Sequence, residues 1–350
     1  MRTVLVTGAA GFIGSNFVRL ALEERPDWRL VVLDALTYAG NLENLEGVQE
    51  AYPERYRFLR GDVTDAVQVQ ALFQEEGVSG VFHFAAESHV DRSILGPMAF
   101  VRTNVLGTAT LLEAARSAWK GQGGRFLQVS TDEVYGALGE TGLFTEGTPL
   151  DPSSPYSASK AASDHLALAY HRTYGMEVVV TRCCNNYGPY QFPEKLIPFM
   201  VTRALEGKPC PVYGRGENVR DWIHVDDHNR GVILAFEKGA PGEVYNLGAR
   251  CERKNLELVR ALLRELSRLK GWDEGGIGER IAFVKDRPGH DWRYAIDPSK
   301  SERELGFRPR VPFEEGLRST VAWYLEHEGW WRRILSGEYR EFVKRQYGEA

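Results

Sequence analysis

Thr3-Val4-Leu5-Val6-Thr7 runs directly into Gly8-Ala9-Ala10-Gly11-Phe12-Ile13-Gly14. The first five residues form a short apolar run, as expected of a parallel strand buried on both faces. Ser15 to Glu24 has helical patterning until Pro26 stops it. Strand, glycine turn and helix in that order are the context that turns a glycine pattern into a dinucleotide fingerprint. The glycines let the backbone approach a pyrophosphate, which rests at the positive end of the helix. The spacing is G-x-x-G-x-x-G rather than the stricter G-x-G-x-x-G, so a plain strand-to-helix turn is the competing reading.

Working outward, Leu30–Leu33 reads as a second strand ending at Asp34, twenty positions after Gly14. An acidic residue there accepts hydrogen bonds from ribose hydroxyls and repels a 2′-phosphate, which favours NAD over NADP. Further strands are expected at Tyr56–Leu59, Gly80–Phe84, Arg125–Val129 and Glu177–Thr181, with a helix over Met98–Lys120. Asp62 falls where the adenine would lie, and Ala85 and Ala86 are small enough for close cofactor approach. The repeated βα units imply an α/β fold, a Rossmann-type doubly wound parallel sheet with right-handed crossovers.

Residues 1–190 are expected to form the NAD-binding domain and to carry the catalytic groups. After Glu177 the alternation loosens, and Arg182–Pro189 reads as a loop. Short strands at Pro211–Tyr213, Asp221–His224 and Val244–Leu247 mix with helices over Asp226–Lys238 and Asn255–Lys270. Residues 191–350 are thus expected to form mainly a smaller, mixed α/β substrate lobe, with some segments returning to the first domain. No Gly/Ser linker separates the halves, which implies direct packing around a cleft. Leu269–Gly278 reads as a mobile surface loop, and Glu328–Ala350 as aromatic packing over the lobe.

The 350 residues are 43% hydrophobic and 26% charged, enough for a sizeable core. A net charge of −5 with both signs interspersed argues against nucleic acid as a partner. Nothing approaches a membrane-spanning run. Cys183, Cys184, Cys210 and Cys251 show no metal-ligand spacing, so no metal is expected and a cytoplasmic protein with reduced thiols is.

Two stretches suggest chemistry. Ser130-Thr131-Asp132-Glu133 follows the Arg125–Val129 strand, placing adjacent carboxylates at a carboxyl end, where open sheets bind ligands. A helix N-cap or solvated turn is the ordinary use of such residues. Tyr156 and Lys160 are four apart near the start of an expected helix, hence on one face. A lysine cation beside a phenol favours the phenolate, a base for a substrate hydroxyl whose carbon loses hydride.

With Thr131, Tyr156 and Lys160 on a dinucleotide fold, the chain resembles the extended short-chain dehydrogenase/reductase family over nearly its whole length. Thr131-Asp132-Glu133 resembles the signature of the nucleotide-sugar 4,6-dehydratases. Leu36–Asn41, Ala85–Arg92, Asn185–Tyr190, Phe192–Pro198 and Asp286–Asp291 support the resemblance. It implies a regenerated NAD and a dTDP-sugar substrate, most specifically dTDP-glucose converted to its 4-keto-6-deoxy product. It also implies a homodimer built on the Met98–Lys120 and Tyr156–Tyr174 helices.

By the same resemblance Thr131, Asp132, Glu133, Tyr156 and Lys160 are catalytic. The cofactor falls to Gly8, Gly11, Phe12, Ile13, Gly14, Asp34, Leu36, Thr37, Asp62, Val63, Ala85, Ala86, Ser88, Thr103, Tyr156, Lys160 and Asn186. The substrate falls to Ser88, Thr131, Asn185, Lys195, Leu196, Pro211, Tyr213, Arg220, Asn255, Arg287, His290 and Tyr294. A nucleotide-sugar 4-epimerase would use Thr131, Tyr156 and Lys160 but has no need of the carboxylate pair. A non-catalytic NAD-binding scaffold would need none of these.

Overall fold

A computed structural model of the chain describes residues 1–286 and 291–337. Its centre is a seven-stranded sheet of β1 (Arg2–Thr7), β2 (Trp28–Asp34), β3 (Tyr56–Arg60), β4 (Gly80–His83), β5 (Arg125–Thr131), β6 (Glu177–Cys183) and β10 (Val244–Leu247). The order is β10-β6-β5-β4-β1-β2-β3, with every neighbouring pair parallel. Val4–Val6 and Leu30–Leu33 are fully buried, as strands covered on both faces require. The order reverses between β1 and β4, so a crevice opens beyond their carboxyl ends.

One face of the sheet is covered by the Phe12–Glu24 and Val225–Lys238 helices, which pack on each other. The other is covered by the Ala66–Glu76, Gly107–Ala118 and Pro155–Tyr174 helices. Arg182 on β6 reaches Asp164 on the last of these, at 2.9 Å with both side chains buried.

The remaining strands build two small sheets. β7 (Asn185–Tyr187), β9 (Val219–His224) and β11 (Glu252–Lys254) make a mixed three-stranded sheet. β8 (Cys210–Tyr213) pairs with β12 (Ile281–Val284). Their apolar faces close on the Leu196–Leu205, Asn255–Lys270 and Phe313–Glu326 helices in a separate core. Trp330 and Trp331 of the Glu328–Leu335 helix are buried there, while residues 338–350 lie outside the described residues. β10 and the Val225–Lys238 helix belong to the large sheet although they follow β7–β9 in the chain.

Three sequence expectations change. Arg182–Pro189 is not all loop: Arg182 and Cys183 end β6, and Asn185–Tyr187 pairs with β9, a partner distant in sequence. Met98–Lys120 is interrupted by a π-helical stretch at Val101–Leu106, before the Gly107–Ala118 helix. There Asn104 turns inward, bonding the backbone of Glu87 and the Ser159 hydroxyl. Leu269–Gly278 is not a free loop: the preceding helix runs to Lys270 and a 3-10 turn follows at Glu274–Arg280, anchored by buried Ile277.

Candidate active site

The glycine turn leaves β1 at Gly8, whose φ of 71° favours glycine. A Cβ there would stand 2.6 Å from the Ala85 backbone, and one on Gly14 would stand 2.4 Å from the Gly8 carbonyl oxygen. Gly11 precedes the Phe12–Glu24 helix with no side chain to cover its first amides. Asp34 ends β2 with both oxygens engaged: Oδ2 accepts from the Ala10 N–H and Oδ1 from the Leu36 N–H, each at 2.8 Å. Burial pushes its carboxyl upward while these bonds oppose the shift.

The crevice is lined by Gly8, Gly11, Phe12, Ile13, Gly14, Asp34, Thr37, Asp62, Val63, Ala85, Ala86, Ser88, Thr103, Tyr156, Lys160 and Asn186. Leu36 is the exception among the expected cofactor residues. It sits at φ 54°, and its amide fixes Asp34 instead of lining the wall. A side-chain-free cradle beside uncapped helix amides, with an acidic residue at the next strand end, fits a dinucleotide.

β5 runs two residues beyond its apolar stretch, and Asp132–Tyr135 turns at once into a 3-10 helix capped by Thr131. Thr131 Oγ1 accepts from the Glu133 N–H at 3.3 Å and donates to Asp132 Oδ1 at 3.4 Å. The turn sends the two carboxylates to different places. Asp132 is 1% exposed, and one of its oxygens has no hydrogen-bond partner among the described residues. Burial first, then Glu133 and Asp221, hold its carboxyl well above the usual range, which favours the neutral acid. Glu133 faces both the crevice and a second cavity.

Ser154 caps the Pro155–Tyr174 helix in a reciprocal pair with Ser157, and Pro155 opens the first turn. Tyr156 and Lys160 both face the crevice. Lys160 Nζ donates to the Val129 carbonyl oxygen at 2.7 Å, tying the helix to β5. The expected phenolate-favouring shift is reversed: Tyr156 lies well above the usual phenol range. Burial dominates, the Glu133 charge adds to it, and the Thr131 hydroxyl opposes it. Burial also lowers the Lys160 ammonium, whose proton is engaged by a carbonyl rather than the phenol.

The second cavity is walled by Asn185, Lys195, Leu196, Pro211, Tyr213, Arg220, Asn255 and Tyr294, all expected substrate residues. Ser88 and Thr131 lie in the crevice, while Arg287 and His290 fall outside the described residues. Arg220 donates to the carbonyl oxygens of Val219 at 2.7 Å and Asp291 at 3.0 Å, and stacks 4.2 Å from the Tyr294 ring. The Tyr294 hydroxyl donates to Asp291. Lys195 Nζ donates to the Ser88 carbonyl oxygen at 2.9 Å, bridging the cavities. Glu133, Asn185, Glu194 and Lys195 line both, which places the Glu133 carboxylate at their junction.

Residues 5–320 match the family model described as GDP-mannose 4,6 dehydratase. The dTDP-glucose 4,6-dehydratase of Xanthomonas campestris pv. campestris is 53% identical over 347 residues, covering 97% of this chain and 98% of the relative. The chain belongs to the nucleotide-sugar 4,6-dehydratase family. DesIV, the Streptomyces venezuelae dTDP-glucose 4,6-dehydratase solved with NAD, superposes with a TM-score of 0.88 at 51% identity. The match covers 95% of this chain and 99% of that dehydratase. The Bacillus anthracis dTDP-glucose 4,6-dehydratase solved with NAD gives 0.85 at 46% identity, over 95% and 100% of the two chains.

In this dehydratase, sequence reasoning missed a buried cluster at the same junction. Glu194, 7% exposed, accepts from the Tyr38 hydroxyl at 3.0 Å and faces Arg92 Nε at 3.6 Å. The Arg92 guanidinium stacks 3.7 Å from the Tyr38 ring. Burial pushes the Glu194 carboxyl up to about 7 against the pull of Lys195 and Arg92. Glu194 and Tyr38 lay inside motifs already quoted, but a Glu beside a Lys reads as a surface pair until the fold buries it.

Proposed function

We propose that the chain converts dTDP-glucose to dTDP-4-keto-6-deoxyglucose and water, with NAD held and regenerated in the glycine-floored crevice. The observation that carries this reading is the contrast between neighbours: Asp132 buried where the neutral acid is favoured, Glu133 at the cavity junction. An elimination needs one acid and one base, and unlike environments supply both from the same residue class.

When bound, NAD supplies the acceptor and later the donor of one hydride, taken from sugar C4 and restored at C6. Tyr156 takes the O4 proton as the phenolate, a form that burial disfavours and the Thr131 hydroxyl favours; Thr131 steadies O4, and Lys160 holds the helix bearing Tyr156 against β5. The ketone at C4 acidifies the C5 proton, which Glu133 removes. Asp132 gives its proton to the C6 hydroxyl as that group leaves as water. Glu133 then returns its proton to C5. Asn185, Lys195, Leu196, Pro211, Tyr213, Arg220, Asn255 and Tyr294 are assigned to the sugar nucleotide, with arginine and lysine for the diphosphate. A 4-epimerase would have no use for a neutral acid beside the base.

We further assign residues 1–190 as the NAD-binding unit and 191–350 as mainly the substrate lobe, in a cytoplasmic homodimer. Ile94 and Leu95 at the end of the Val90–Leu95 helix, and Met98, Val101 and Leu106 in the helical run that starts at Pro97, are exposed apolar side chains suited to a second copy. Incubation with dTDP-glucose followed by alkali should develop the absorbance of a keto sugar. Unchanged sugar, or its C4 epimer, would sink the proposal.

A further inference from the structure

The proposed chemistry does not leave its own groups as it found them. In each turnover Tyr156 gains the O4 proton and Asp132 loses one to the departing water, while Glu133 ends as it began. Substrate and products carry no net proton change, so one proton must pass from Tyr156 to Asp132 before the next cycle. Both are poorly placed to exchange it with solvent: Tyr156 is 8% exposed and Asp132 1%, with Asp132 Oδ2 sealed from water.

Thr131 stands between them. A hydroxyl donates one hydrogen bond and accepts two. Thr131 Oγ1 donates to Asp132 Oδ1 at 3.4 Å and accepts from the Glu133 N–H at 3.3 Å. The Thr131 hydroxyl is also a hydrogen-bonding neighbour of the Tyr156 phenol, whose phenolate form it favours. We propose that Thr131 is the conduit that resets the site, a role that rests on the dehydratase reading above. The Tyr156 O–H bond breaks as a new O–H bond forms on Thr131 Oγ1. The original Thr131 proton moves in the same event to Asp132 Oδ1. Phenolate and neutral carboxylic acid, the pair that starts the next turnover, are restored with no co-reactant.

The test compares first-turnover and steady-state rates by rapid quench on the NAD-loaded enzyme with dTDP-glucose. Thr131→Val should slow the first turnover through loss of the O4 contact and slow the steady state by about a further tenfold or more, the scale of a lost proton-transfer path. Raising the concentration of a small buffer acid should speed that steady state alone. Thr131→Ser, which keeps the hydroxyl, should show neither effect. Equal slowing of both phases in Thr131→Val, without buffer dependence, would overturn the conduit and leave Thr131 as a support for O4. A pH indicator in weakly buffered wild-type enzyme decides the case even where Thr131→Val makes no product. The conduit keeps the proton inside, so the signal stays flat beyond that of dTDP binding; a proton released and retaken once per turnover would refute it. Absence of keto product from the wild type would instead overturn the reading of the site itself.

Discussion

Replacing Asp132 by Asn separates water elimination from everything before it. The carboxyl is 1% exposed and burial favours its neutral acid, so the isosteric amide neither strands a buried charge nor opens a cavity. What disappears is the transferable proton. General acid catalysis contributes about 10²–10⁴-fold, and a C6 hydroxyl is a poor leaving group, so a fall of about 10³ in keto-product formation is expected. That corresponds to about 4 kcal/mol of lost transition-state stabilisation. Oxidation at C4 uses Tyr156 and stays near the wild-type rate. In stopped flow, reduced nicotinamide should therefore accumulate and persist in Asp132→Asn, while the keto sugar hardly forms. A second readout follows from linkage. The folded carboxyl titrates above its unfolded value, so its stabilisation is full below the unfolded pKa and is lost as pH rises toward the folded one. Asp132→Asn should thus become more stable than wild type as pH increases. Dehydration by this variant at near wild-type rate would refute the assignment.

Gly8→Ala forces a side chain into a backbone at φ 71° with its Cβ 2.6 Å from Ala85, so strain of about 1–3 kcal/mol should lower Tm. NAD should also be lost on gel filtration of that variant, and full retention would contradict the cradle. Glu194→Gln removes a buried carboxyl raised to about 7, whose stabilisation is complete below the unfolded value and lost as pH rises through 7. Denaturant midpoints between pH about 5 and about 8 should then fall for wild type, by on the order of 3 kcal/mol at most, and stay level in the variant. Asp164→Ala leaves Arg182 buried and unpaired, costing about 3–5 kcal/mol by urea unfolding. Adding Arg182→Met should recover much of that loss, and no recovery would show that the pair is not the source.

The sheet was legible because its strands are continuous apolar runs broken by glycine turns, a signal that needs no tertiary information. The same holds for Asp34 and the Tyr156-Lys160 pair, whose spacing carries their geometry. The strand at Asn185–Tyr187 was not legible, since only pairing with β9, far along the chain, makes it one. Nor was the π-helical stretch at Val101–Leu106, where Asn104 bonds to Glu87 and Ser159 from other segments. Charge states were the least legible. Sequence puts a lysine one turn from Tyr156, but burial and Glu133 decide the phenol, and Lys160 donates a hydrogen bond to the Val129 carbonyl oxygen. Likewise burial comes ahead of the neighbouring Glu133 charge in raising the Asp132 carboxyl. Desolvation is a property of the packed molecule, and no local spacing encodes it.

In the proposed cycle Asp132 and Glu133 turn a reversible C4 oxidation into loss of water. That role is tested most directly by converting dTDP-glucose in D2O and locating deuterium in the product by NMR. Exchange through Glu133 predicts one solvent deuterium at C5 of a 4-keto-6-deoxy sugar, while the hydrogen from C4 arrives at C6 undiluted. A C4-epimerised sugar without deuterium at C5 would contradict it.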